Sequence, residues 1–148
     1  MRAKSTPEGY HTLTPYLVVD NVQVVRDFYA RVFGAETVIE RAVKGRLVLA
    51  GIRIGDSHLQ LSDRANEQNA GLEQGAAIGL RVYVDDADAV FRHAVEAGAK
   101  PIAPVEEKFW GDRLGVIVDP FGFRWRISQH MEEVAPDEIE RRMHEKLG

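Results

Sequence analysis

The chain writes one pattern of elements twice, and this duplication restricts its fold more than any other feature. Residues 12–19 (TLTPYLVV) carry the β-branched and aromatic residues of a strand, with Pro15 suited to an edge or an early strand position. Asp20 or Asn21 then stands where a helix cap belongs, ahead of Val22, Val25, Phe28, Tyr29, Val32 and Phe33. Spacings of three and four place these on one face of an α-helix, and Gly34 is positioned to end it. Three extended runs follow at 36–42, 47–54 and 58–62, parted by turns at Gly45 and at Gly55-Asp56.

After a polar stretch, residues 63–75 (DRANEQNAGLEQG), the same order begins again. Residues 78–84 form a strand, and Asp85 or Asp86 caps a helix that turns Ala87, Val90, Phe91, Ala94 and Val95 inward and closes at Gly98. Strand-like pieces at 101–104, 113–118 and 123–128 complete the second half. The capping acid precedes the closing glycine by fourteen residues in the first half and by thirteen in the second. A repeat of about 65 residues is too long for a solenoid unit. It describes two βαβββ modules, each too small to bury its sheet face alone, so the two should pack together within a chain or between chains. The expected class is α+β. The boundaries are a first module at 11–62, a linker at 63–76, a second module at 77–130 and a C-terminal helix at 136–147, within one domain of 148 residues. In that helix Pro136 suits the first turn, Asp137 and Glu138 sit at its start and Lys146 near its end. Ile139, Met143 and Leu147 form a narrow apolar stripe, to dock on the same domain or on a partner subunit.

Composition removes several function classes. With no cysteine, disulfides, thiolate metal sites and cysteine nucleophiles are excluded. Lys plus Arg number 19 against 23 Asp plus Glu, a net charge of −4 that offers no footprint for nucleic acid or an anionic membrane. The first nineteen residues hold no apolar stretch long enough for a signal peptide, and the longest apolar run, 47–52, is far short of a membrane span. A soluble, cytoplasmic protein is expected. No GxSxG, HExxH, P-loop or GxGxxG phrase occurs.

Local phrases carry a family resemblance. They are Thr14-Pro15-Tyr16-Leu17-Val18-Val19-Asp20, Asp27-Phe28-Tyr29 with Phe33-Gly34-Ala35, Ile54-Gly55-Asp56-Ser57, Tyr83-Val84-Asp85-Asp86, and Phe109-Trp110-Gly111-Asp112-Arg113 with Asp119-Pro120-Phe121-Gly122. Together with the paired modules, over roughly residues 11–130, the chain resembles the vicinal oxygen chelate superfamily. That superfamily includes glyoxalase I, extradiol dioxygenases, fosfomycin-resistance enzymes and bleomycin-binding proteins. The last two phrases most resemble its PhnB-like branch. The resemblance implies curved mixed sheets around a cavity with helices on the convex side. It also implies a homodimer in which modules of two chains complete each cavity, sometimes by exchange across the linker. The fold hosts unrelated chemistries, so it does not assign a function.

Metal-dependent members hold a divalent ion with side chains from the first and last strand of each module. Here the repeat places those positions at Thr14, Gln60, Gly79 and Arg126. Gly79 has no side chain, Arg126 is a permanent cation, and Thr14 and Gln60 are weak neutral ligands. No cofactor is expected from that set, and ion-dependent glyoxalase or dioxygenase activity is not expected with it.

Strand alternation assigns what would line the cavity instead. Phe123, Trp125 and Ile127 pack under a helix and leave Arg124 and Arg126 on the concave side. Leu59 and Leu61 enter the core, while His58, Gln60 and Ser62 face the cavity. Thr12, Thr14, Tyr16 and Val18 line it from the first strand, and Gly79, Arg81 and Tyr83 from the fifth. This surface suits a planar or anionic organic molecule, because guanidinium groups fork onto carboxylate or phosphate and stack on rings. Alternatively Arg81, Arg124 and Arg126 pair with acids or protrude into solvent. Gly111 would let a tight turn present Trp110, beside Phe109, to a ligand; or the turn is packed, with Asp112 paired to Arg113 or capping it. Ser57 and His58 are adjacent and point to opposite faces, so they form no nucleophile–base pair. His11, His93, His130 and His144 read as surface residues.

Three functions fit. One is a homodimer sequestering a small molecule through Tyr16, His58, Gln60, Arg81, Tyr83, Phe109, Trp110, Arg124 and Arg126 without metal, as a resistance or sequestration protein. Another is a lyase- or isomerase-type enzyme, metal-free with His58, Tyr83 or Asp112 in acid–base roles or using a relocated metal. The last is an interaction module with a vestigial cavity.

Overall fold

Each half of the chain builds a strand, a helix and three further strands, and its own residues explain why. The computed structural model describes residues 5–65 and 78–147. The chain divides into two units, Met1–Ala76 and Ala77–Gly148.

In the first unit β1 (Tyr16–Val19) leads into α1 (Val22–Phe33), then β2 (Glu36–Val43), β3 (Arg46–Ile54) and β4 (Ser57–Asp63). The sheet order is β1-β4-β3-β2, with β1 parallel to β4 and the other pairs antiparallel. Of the two candidate caps, Asn21 is the one used: its Oδ1 accepts from Val24 N at 3.1 Å. Gly34 ends the helix at φ 69°, a conformation that glycine adopts without a Cβ penalty. Val22, Val25, Phe28, Tyr29 and Val32 are buried on α1, as are Ala50 and Ile52 of β3 and Leu59 and Leu61 of β4. Burying each such side chain contributes roughly 1.5–3 kcal/mol for the larger ones, so this layer is the unit's main source of stability.

Two boundaries differ from expectation. The first strand starts at Tyr16 rather than residue 12, because Pro15 has no N–H to donate; its carbonyl accepts from Gln60 N at 3.0 Å instead. Asp63 belongs to β4 and not to the linker. It is buried, and its carboxylate accepts from Arg46 Nε at 2.8 Å and Ala65 N at 2.7 Å. The remainder of the expected linker, residues 66–76, lies outside the described residues.

The second unit repeats the plan with β5 (Gly79–Tyr83), α2 (Ala87–Glu96), β6 (Lys100–Glu107), β7 (Asp112–Val118) and β8 (Arg124–His130), followed by α3 (Pro136–Leu147). Its sheet order is β5-β8-β7-β6, again with the first strand parallel to the last. Asp86, not Asp85, caps α2 through Ala89 N. Gly115 lets α2 approach β7, since a Cβ there would lie 2.7 Å from the Phe91 ring. Beneath the helix Ile117, Trp125 and Ile127 are buried. The turn Asp119-Pro120-Phe121-Gly122 is organised by the buried Asp119 carboxylate, which accepts from Phe121 N, Phe123 N and Trp125 Nε1. The two mixed sheets are open, not barrels. Among the described residues no helix is long and apolar enough to cross a membrane.

Candidate functional site

On the second sheet, α2 covers one face: Gln129 Oε1 accepts from Ala87 N at the start of the helix, and Trp125 and Ile127 are buried with it. Alternation therefore sends Arg124, Arg126, Ser128 and His130 to the other face. The parallel register sets Arg81 beside Arg126 and Gly79 beside Arg124. Arg81, Arg124 and Arg126 are exposed, and Tyr83 ends the row at 59% exposure. Among the described residues none of the three guanidinium groups has a carboxylate partner. By contrast Arg46 binds Asp63, Arg53 binds Glu36, Arg113 binds Asp88, and Arg141 and Arg142 share Glu138. Like charges set directly across a strand pair are destabilising, so this row is built at a cost. Ser128, two residues past Arg126 on the same face, is fully buried and its hydroxyl has no partner among the described residues.

On the first sheet, the face turned from α1 carries Tyr16, Gln60 and His58, Tyr16 being in register with Gln60 and 52% exposed. Arg53 and Gly51 share it through the β3–β4 register, and Ile39 lies across Gly51. Val18 and Ser62 also face this way but are buried at the end nearest the linker. The His58 ring is stacked under Tyr10, with centroids 3.8 Å apart and planes 20° from parallel, and its buried Nδ1 has no hydrogen-bond partner among the described residues.

The turn before β7 is anchored, not free. Gly111 holds φ 101°, and a Cβ on it would run into Glu132 O. Arg142 donates to Phe109 O at 2.9 Å, so α3 holds the turn from outside. Trp110 packs edge-on against Phe109 and donates Nε1–H to Asp112 Oδ2 at 3.1 Å. Arg113 leaves Asp112 alone and forks onto Asp88 of α2, which holds the Asp88 carboxyl below its ordinary range. The other Asp112 oxygen meets His130 Nδ1 at 2.7 Å, while His130 Nε2 meets Glu133 at 3.0 Å. These two carboxylates, Asp112 first, raise the imidazole above its ordinary pKa.

The candidate binding residues thus fall into three groups. Tyr16, His58 and Gln60 share one sheet face, Arg81, Tyr83, Arg124 and Arg126 share another, and Phe109 and Trp110 sit in the anchored turn. Sequence reasoning missed two partners. His130, read as a surface residue, is half-exposed but bound to a buried carboxylate across the β7–β8 register. Tyr10 lay outside every strand considered. In neither case does a local signal exist, since both contacts join residues far apart in sequence.

The family resemblance would place an ion at Thr14, Gln60, Gly79 and Arg126. Tyr16 lies beside Gln60 as Arg81 lies beside Arg126, which makes Thr14 and Gly79, two residues earlier, counterparts. A glycine, a guanidinium, a hydroxyl and an amide do not fit a divalent ion. Asp119 is committed to its turn. Among the described residues no group of three or more His, Cys, Asp or Glu is arranged to hold a metal.

Comparison with known proteins agrees with this architecture. The model of the Glyoxalase/Bleomycin resistance protein/Dioxygenase superfamily matches residues 10–127. The uncharacterized protein Mb0911c of Mycobacterium bovis is 36% identical over 138 residues, covering 88% of this chain and 91% of that protein. Among solved structures, TioX from Micromonospora sp. ML1 superposes with a TM-score of 0.68 at 22% identity, over 82% of this chain and 99% of TioX. A PhnB protein from Bacillus cereus, described as a putative 3-demethylubiquinone-9 3-methyltransferase, gives 0.64 at 15% identity, over 80% of this chain and 99% of that one. At these identities the two structures speak for the fold alone.

Proposed function

The chain belongs to the glyoxalase/bleomycin resistance protein/dioxygenase superfamily, and from that premise we propose that it binds a small organic anion, carboxylate- or phosphate-bearing, without a metal. The observation that carries this reading is Arg81 and Arg126 set side by side, with Arg124 on the same face of β8 and no carboxylate partner for any of them among the described residues. A bound anion would relieve the repulsion and satisfy the planar donor forks. Tyr83 at the end of the row offers a ring and a hydroxyl to an aromatic ligand. The physiological role in this reading is sequestration of, or resistance to, such a compound, in a soluble homodimer. Sedimentation at micromolar concentration should then give about twice the chain mass of 16.6 kDa, and a mass near that of one chain would count against the dimer.

A thermal-shift screen, with divalent metals on one axis and organic anions on the other, tests the ligand class. A ligand that binds only the folded chain must raise the melting temperature. Stabilisation by anions without metal supports the proposal; stabilisation by a metal, abolished by chelator, contradicts it.

One observation favours a second reading, a metal-free lyase or isomerase. An imidazole oriented by a buried carboxylate, as His130 is by Asp112, is the arrangement that passes protons in acid–base catalysis. Turnover of any anion found in the screen, lost in His130→Gln while binding persists, would move the assignment to this reading.

A further inference from the structure

The ring of Tyr10 on His58 has the geometry of a bound aromatic ligand: nearly parallel planes 3.8 Å apart at their centroids. Among the described residues, the backbone of the segment bearing Tyr10 bonds little beyond itself. Tyr10 N donates to Pro7 O inside the segment itself, and the first backbone bond from this stretch to the sheet is Gln60 N to Pro15 O. Gly9 at φ 81° makes a turn there, and Leu13 is 83% exposed, so the stretch is neither laddered nor buried in a core. The stacked ring also covers a costly arrangement, because His58 Nδ1 is shielded from water and has no hydrogen-bond partner among the described residues. Stacking and an unmet ring nitrogen are effects of the same order and opposite sign.

We propose that residues 5–14 form a displaceable strap, and that Tyr10 occupies on His58 the place of a planar aromatic ligand. With the strap lifted, the His58 face is free for stacking and Nδ1 for a polar group. The Gln60 amide and the exposed Tyr16 phenol stand on the same face to orient the ligand. The ligand class is a flat, mainly apolar bicycle with a hydroxyl or amide, which needs no charge. This deepens the small-molecule reading and rests on it only for the size of the ligand; the arginine row of the second unit is not used.

The test is calorimetric titration of the full chain with β-naphthol, which is neutral at pH 7. Removing the competitor in Tyr10→Ala should tighten binding roughly 2- to 10-fold, the worth of one aromatic pair. Tyr10→Trp, a better stacking partner, should weaken it. His58→Leu in the Tyr10→Ala background should abolish the gain. Weaker or unchanged binding in Tyr10→Ala would overturn the strap and make Tyr10 a wall of the site or a bystander. The absence of β-naphthol binding in all variants would also overturn it. Either failure leaves the anion reading to its own test on Arg81 and Arg126, with phthalate as the probe.

Discussion

At the scale of single residues, Asp112 ties the turn before β7 to the end of β8. Its buried carboxylate takes the indole N–H of Trp110 on one oxygen and the His130 imidazole on the other. Because the raised pKa belongs to a base that gains partners on folding, the protonated pair stabilises the fold fully below the unfolded pKa, about 6.5. That contribution is lost as pH rises through the folded value. The His130 signal in an NMR titration should therefore show a midpoint above the ordinary one, and Asp112→Asn should bring it down. The wild type should lose its stability advantage over His130→Gln across the same interval; identical pH profiles for the two would refute the coupling. Gly111 gives a second residue-scale test. Alanine there must adopt φ 101° with its Cβ against Glu132 O, which should cost about 2 kcal/mol or more in chemical denaturation.

At the scale of elements, what the sequence revealed and what it hid separate by range of interaction. The helices were legible because spacings of three and four, a cap and a closing glycine are all local. Only the choice between neighbouring caps needed the structure, which selected Asn21 and Asp86. Replacing Asn21 by Ala should cost roughly 1 kcal/mol, read from the melting transition. The arginine row was legible too, since period-two alternation along β8 suffices to put Arg124 and Arg126 on one face. The Asp112–His130 and Tyr10–His58 contacts were not, because each depends on a register or a chain path that no local pattern encodes. The α3 helix carries its own pH test. Arg141 and Arg142 hold Glu138 at about 2, below its ordinary 4.5. A carboxyl so lowered stabilises the helix above the ordinary value, and the stabilisation disappears as pH falls toward about 2. Amide exchange in α3 should stay slow through mild acid and quicken over that interval, whereas Glu138→Gln should exchange faster at neutral pH.

At the scale of the whole molecule, a βαβββ frame is built twice, and the proposed anion site rests on one face of its second sheet. That face presents Arg81 and Arg126 side by side, with no carboxylate partner among the described residues. The most direct measurement of this claim is heteronuclear NMR of the arginine Nε–H groups while phthalate is added. Arg81 and Arg126 should shift together and saturably, and Arg46 and Arg113, already paired with Asp63 and Asp88, should not move. Uniform small shifts across all arginines, or saturable shifts that persist elsewhere in an Arg81→Gln/Arg126→Gln variant, would contradict an anion site on this face.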